Sequence, residues 1–347
     1  MNQTGQQPIF FPPEWHDQDG VMLTWPHPET DWIDMLSEVE KTYLEIAREI
    51  IKREKLIIVS PDCENVKNYF TEKELHQIRF YNIPSNDTWA RDHGPICTFR
   101  NTTPVINDFG FNGWGGKFEA DKDNEITSRL FDAGAFHRDS IHLPQPGFIL
   151  EGGSIESDGK GTILTTSACL LNRNRNRNSV KLDIEKRLKE ILGATRIFWL
   201  DYGFLEGDDT DGHIDTLARF CSETTICYVQ SGDQNDVHYT DLKKMEQQLL
   251  GFRTVDGKPY QLVALPMVPP QYDDVGRRLP ATYANFLIIN QAVLLPVYGQ
   301  EQDQEALMIM KKIFPDREII GINCVSLIKQ YGSLHCITMQ IPKGFLV

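Results

Sequence analysis

Ten short apolar runs recur along the chain, each bounded on one side or both by glycine, proline, asparagine or aspartate: GVMLTW (20–25), KLIIVS (55–60), GPICTF (94–99), GTILTT (161–166), RIFWL (196–200), TICYVQ (225–230), QLVALPM (261–267), NFLIIN (285–290), AVLLPVY (292–298) and CITMQI (336–341). Rich in Val, Ile, Leu, Thr and aromatic residues, they predict many brief strands. Amphipathic helical runs fall between some of them. In the longest, 32–52, Trp32, Met35, Leu36, Val39, Tyr43, Ile46, Ala47 and Ile50 recur every three or four residues on one face, with Asp31 as the expected N-cap. Others lie near 180–193, 241–251 and 302–314. Helices set among more than one strand each fit α/β or α+β better than a strict βαβ alternation. The letters show no internal repeat. No linker interrupts them, which favours one domain over 1–347 although the length alone would allow two.

Charge narrows the partners. The chain carries 35 basic and 49 acidic residues, a net charge of −14, with a pI near 5.1. Such a surface repels nucleic acid and anionic membranes and draws cations, so a small cationic substrate is favoured over either. No run approaches a membrane span, and the N-terminal letters show no secretory leader. Seven cysteines, an odd number with no C-x-x-C pair, argue against a disulfide framework and a cysteine zinc site. A cytoplasmic location with reduced thiols is the expectation.

Three polar stretches flank apolar runs and hold the candidate chemistry, and a fourth, ILEGGSIESDGKGTILTT (149–166), reads as a hairpin. In DGHID, His213 and Asp215 share a face if the segment is a strand, an acid–base arrangement; a surface turn with a satisfied histidine fits equally well. The spacing falls short of a metal site, and no metal is expected. In TWARDHGP, Trp89 and Asp92 suit a flat cation, held by indole face and carboxylate, or else form a packed tryptophan beside an Arg91–Asp92 surface pair. Cys336, after a Gly–Ser turn, is either one more buried thiol or a nucleophile whose helpers lie far upstream.

Taken together, PPEWHDQDGVMLTWPH (12–27), NDTWARDHGPI (86–96), DFGFNGWGGKF (108–118), LEGGSIESDGKGTILTT (150–166), CLLNRNRN (169–176), GDDTDGHIDTLARF (207–220), YANFLIIN (283–290) and GSLHCITMQIP (332–342) resemble, nearly end to end, the agmatine deiminases and bacterial-type peptidylarginine deiminases of the guanidine-modifying (pentein) superfamily. The resemblance implies an α/β propeller of five ββαβ blades with pseudo-five-fold symmetry and a central active site. It implies that Asp92 and Asp215 clamp a guanidinium, that Cys336 attacks its carbon, and that His213 moves the protons, without metal or organic cofactor. It also implies that Asn285 orients the nucleophile.

Among guanidines the resemblance favours agmatine, converted to N-carbamoylputrescine and ammonia on the way to putrescine. Glu14, Asp87, Glu151, Asp208 and Asp209 are candidates for the tail ammonium, and Trp114 for a wall along the alkyl chain. Arginine, a peptidyl or methylated arginine, and a silent scaffold that binds polyamines or a protein are the alternatives. Homo-oligomers are common in the family. One departure stands out: where relatives carry a glycine-rich run before His-Cys, this chain has Gly332-Ser333-Leu334. The loss of backbone freedom there is expected to bear on substrate range. Arg173, Arg175 and Arg177 read as surface or structural salt-bridge partners.

Overall fold

The apolar runs become strands, and the strands assemble into five separate mixed sheets of one design. The structure is a computed structural model and describes residues 8–347, so the reading of the leader rests partly on residues outside the described range. In four of them an antiparallel pair of successive strands comes first and a parallel strand follows a helical crossover; in the fifth the antiparallel partner comes from near the end of the chain. Gln18–Thr24 pairs antiparallel with Thr338–Pro342 and parallel with Lys55–Ser60, which in turn pairs parallel with Ile78–Asn82. Ile96–Arg100 and Thr103–Gly110 pair antiparallel before Ile141–Ile149 adds in parallel. The same order holds for Ile155–Ser157, Thr162–Thr166 and Arg196–Leu200, for Ala218–Ser222, Thr225–Gln230 and Gln261–Pro266, and for Leu287–Ile289, Ala292–Val297 and Glu318–Asn323. Parallel neighbours need a long crossover, so a helix belongs between each such pair. Gln18–Thr24 and Thr338–Pro342, far apart in sequence, thus lie side by side in one sheet.

The long helix Leu36–Ile51 is one of these crossovers. It buries Val39, Tyr43, Ile46, Ala47 and Ile50, the face read from the sequence. A buried aliphatic side chain of this kind contributes about 1.5–3 kcal/mol. Lys181–Leu192, Tyr239–Gly251 and Gln302–Ile313 occupy the other expected helical runs. Two local expectations need correction. Residues Ile33–Met35 form a tight 3-10 turn and the α-helix begins after Met35, so Asp31 is not its cap. The last strand begins at Thr338, which leaves Cys336 in the turn before it. No helix among the described residues is long and apolar enough to cross a membrane.

Candidate active site

The turns that lead into or out of four of the sheets supply the polar groups, and a glycine lets them meet. Asp92 sits in the single helical turn Ala90–His93, which is tied to the C-terminal segment by Arg91 N donating to Cys336 O at 3.1 Å. His213 precedes the 3-10 turn Ile214–Thr216 that carries Asp215. It is therefore not in a strand, and the two side chains converge because a turn, not a pleat, directs them. Gly153 lies between them: a β-carbon there would stand 2.6 Å from His213 Nδ1, 2.9 Å from Asp92 Oδ1 and 3.2 Å from Asp215 Oδ2. Only a residue without a side chain allows that approach. Its own N–H donates to Asp92 Oδ1 at 3.0 Å. The motif LEGGSIE holds this residue, yet nothing in the letters separates Gly153 from an ordinary turn glycine.

Asp92, His213 and Cys336 line one cavity of about 160 Å³. They are buried there, as are Trp89, Trp114 and Thr216, while Asp31 and Phe118 are exposed at its rim. Asp92 Oδ2 accepts from Trp114 Nε1 at 2.9 Å, and Asp87 Oδ2 from Trp89 Nε1 at 3.0 Å. Both indoles line the cavity with Asp31, Asp87, Asp208 and Asp209. Asp208 is spent on its own loop, accepting from Thr210 and Gly212 N–H groups. The Asp209 carboxylate has no protein donor among the described residues. Burial, reinforced by Asp208, pushes it up to about 7, and burial pushes Asp87 up to about 6.

Cys336 is 8% exposed. Its thiol lies 3.4 Å from Asn285 Oδ1, which also accepts from the His335 N–H at 2.9 Å. Burial, with Asp215 and Asp92 nearby, pushes the thiol well above the usual thiol range, so in the empty site it keeps its proton. Asp215 is held below the carboxylate range: burial opposes this, but His335, His213 and Arg219 outweigh it. His335 Nδ1 meets Asp215 Oδ2 at 2.7 Å, and Asn285 Nδ2 donates to the same oxygen at 3.3 Å. Asp215 Oδ1 is buried and has no partner. An unpaired oxygen on a buried carboxylate is costly, and it marks a place for a cationic donor. Burial also disfavours charge on His213, yet Asp92, Cys169 and Glu151 raise it well above the ordinary imidazole range. Asp92, His213 and Cys336 thus line one space, with the Asp215 carboxylate buried close to them.

Two carboxylates lie elsewhere than the sequence reading had them. Glu14 does not line the cavity; it is buried in the interior, paired with Arg219 at 2.6 Å and with His335 Nε2 at 2.7 Å. Glu151 is fully buried, held by Arg175 Nε at 2.7 Å, and meets His213 Nε2 at 3.2 Å. It stands behind the histidine and cannot meet a substrate tail. Both errors share a cause: a motif shows that an acid is present but not which way it faces. Arg175 is the one buried arginine of NRNRNRN and does make the structural salt bridges read for it, to Glu151 and to Asp211. Sequence reasoning missed His335, although it stands beside Cys336. Ser333 and Leu334, where the departure from the glycine-rich run was read, point away: Ser333 Oγ meets Tyr298 OH at 2.9 Å, and Leu334 is fully buried. Tyr331 and Gly332 line the cavity instead.

Two buried clusters have metal-like proximity, Glu151–Cys169–His213 and Glu14–Glu156–His335. In each the carboxylates already face an arginine, Arg175 in the first and Arg219 in the second. A guanidinium fills the role that a cation would have there.

The model of the Porphyromonas-type peptidyl-arginine deiminases matches residues 10–342. A Legionella pneumophila protein provisionally named an agmatine deiminase is 32% identical over 351 residues, covering 99% of both chains. The crystal structure of a Porphyromonas gingivalis protein, provisionally named an arginine deiminase, superposes with a TM-score of 0.95 at 52% identity, covering 98% of this chain and 100% of that one. The C. jejuni agmatine deiminase, a cysteine-to-serine variant with substrate bound, gives 0.91 at 38% identity, covering 99% of both.

Proposed function

The chain belongs to the Porphyromonas-type peptidyl-arginine deiminase family, and from that premise we propose that it hydrolyses agmatine to N-carbamoylputrescine and ammonia. The observation that carries the reading is Asp215 Oδ1, buried and without a partner among the described residues, close to the Asp92 and His213 that, with Cys336, line a cavity walled by tryptophans and further carboxylates. A guanidinium offers five donors in one plane, and two carboxylates fix that plane. The rest of the cavity is acidic, which suits a tail ending in an ammonium and opposes the free carboxylate of arginine. Asp87 and Asp209 are the carboxylates available to the tail, with Trp89 and Trp114 along the alkyl chain. Five like sheets, joined at their ends by the pairing of Gln18–Thr24 with Thr338–Pro342, support the five-bladed propeller with its site where the turns converge.

The chemistry follows from the charges. Burial and the two nearby carboxylates keep the Cys336 thiol protonated. The bound guanidinium neutralises those carboxylates, so substrate binding favours the thiolate; the thiol proton passes to solvent, and solvent returns a proton when the urea leaves. Asn285, whose Oδ1 faces the thiol, holds the sulfur in line. The sulfur attacks the guanidinium carbon and forms a C–S bond. His213, charged in the resting site, gives its proton to the departing nitrogen, which leaves as ammonia. The S-alkylthiouronium that remains is attacked by a water, whose proton returns to His213. Collapse then breaks the C–S bond and releases the urea product and the thiolate. Glu151 fixes the imidazole from behind, much as a triad carboxylate does.

The test is ammonia release without added metal from agmatine, free arginine and a blocked arginyl peptide in parallel. Release from agmatine alone is expected, with a loss of about 10⁴ or more in Cys336→Ala, which still binds agmatine. Release from the peptide and not from agmatine would overturn the substrate; undiminished release in the variant would overturn the mechanism.

A further inference from the structure

Among the described residues, five other than glycine have a positive φ: Asn101, Trp114, Asp211, Gln291 and Tyr331. Two of the five are aromatic, Trp114 at +53° and Tyr331 at +65°, and both wall the same cavity. A β-carbon disfavours this backbone, so a bulky residue holds it only where the surroundings over-determine it. The surroundings of Tyr331 do so from three sides. Its N–H donates to Ile328 O at 3.0 Å, which closes the turn after the helix Val325–Ile328. The next residue, Gly332, lies against the Trp89 ring so closely that a β-carbon there would stand 2.1 Å from it. The Arg277 guanidinium, carried on the hairpin of Gln271–Tyr272 and Arg278–Leu279, sits 5.7 Å from the tyrosine ring centre, and Asp273 holds it at 2.7 Å.

Tyr331 is half-buried and lines the cavity together with the buried thiol and the exposed Asp31 and Phe118. Its hydroxyl has no hydrogen-bond partner among the described residues, so the ring, not the oxygen, is what the fold places there. We propose that Tyr331 is a specificity-determining residue: its ring closes the outer part of the cavity and sets the length of guanidine that is accepted. The inference rests on the reading that the guanidinium binds at Asp92, Asp215 and Cys336. Given that anchor, every added methylene drives the tail toward the ring.

Calorimetric titration in a Cys336→Ala background separates this from the chemistry. The ligands are ω-guanidinoalkylamines with four, five and six methylenes and a blocked arginyl peptide. The proteins are Cys336→Ala alone and with Tyr331→Gly or Tyr331→Phe added. Glycine tolerates a positive φ, so the turn is kept. We expect Cys336→Ala to prefer the four-carbon amine over the six-carbon one by about tenfold or more. Glycine at 331 removes most of that preference and admits the peptide, while phenylalanine preserves it. A preference unchanged by glycine, or lost equally with phenylalanine, overturns the proposal. Failure of Cys336→Ala to bind any guanidine overturns both this inference and the reading beneath it. Binding with an intact length preference, beside an active-cysteine enzyme that releases no ammonia, overturns the hydrolysis and leaves the role of Tyr331 supported.

Discussion

His335 connects the site to the interior through one ring: Nδ1 bonds Asp215 at 2.7 Å and Nε2 bonds Glu14 at 2.7 Å, while Glu14 also holds Arg219. Burial alone would lift Asp215 toward protonation, and the bond and charge from His335 are the strongest influences against it. A clamp carboxylate must be ionised to hold a guanidinium. Replacing His335 with glutamine removes the hydrogen bond to Asp215 and keeps a polar side chain. The Asp215 carboxyl then rises, and the acid limb of kcat/KM for agmatine moves up with it. The loss of activity is therefore larger on that acid limb than at pH 8. A pH–rate profile of His335→Gln checks this; an equal loss at every pH would mean that the residue serves packing alone.

At the scale of elements, the site depends on turns more than on strands, and Gly153 is the sharpest case. In Gly153→Ala the new carbon stands where His213, Asp92 and Asp215 converge, so at least one of them must move. Displacements of that size at a reacting centre cost about 10²-fold or more. We expect kcat/KM to fall by at least that much while the far-UV circular dichroism of the chain is unchanged. Retained activity would place the three groups further apart than the backbone indicates. The same distinction between turns and strands decided what the letters could tell. Runs with regular apolar content were legible: Lys55–Ser60, Arg196–Leu200 and Thr225–Gln230 fall where the sequence put them. Thr103–Gly110 and Ile141–Ile149 were not, because prolines and polar residues interrupt them and their pairing comes from distant partners. The proposed catalytic set Asp92, His213, Asp215 and Cys336 was drawn from motif resemblance, and the fold brings its members near one another. The acids Glu14 and Glu151 were misread because the direction of a side chain depends on turn geometry that the letters do not encode.

At the scale of the whole molecule, burying so many ionisable groups makes stability depend on pH in a definite way. Seven carboxyls among the described residues bind protons more tightly in the fold than in the unfolded chain: Asp123, Asp209 and Glu54, each up to about 7, Asp87, up to about 6, and Asp92, Glu156 and Glu45, all raised. Burial is the leading cause in each. Raised carboxyls weaken the fold as pH climbs from the unfolded value of about 4 to those folded values, and cost nothing further above them. His213, also raised, contributes stability that is full below the unfolded value near 6.5 and is lost at higher pH. Three imidazoles work the other way: burial lowers His27 and His238, and takes His93 down to about 3. Below about pH 6.5 the unfolded chain protonates all three while the fold does not, which offsets the gain from the carboxyls. Glu151 and Asp215, both lowered, become costly only once pH falls below the normal carboxylate range. The melting temperature of the substrate-free protein should therefore be highest near about pH 5. It should decline between about pH 5 and 7, where these carboxyls are ionised in the unfolded chain and protonated in the fold; above about pH 7 only His213 and the self-repulsion of a chain with net charge −14 continue the loss. It should drop steeply below about pH 4. Melts across this range check the shape, and Asp123→Asn, which lies outside the cavity lining, should flatten the decline between about pH 5 and 7. A melting temperature that rises from pH 5 to 7 would mean that these carboxyls are solvated, and that the interior is less closed than their burial implies.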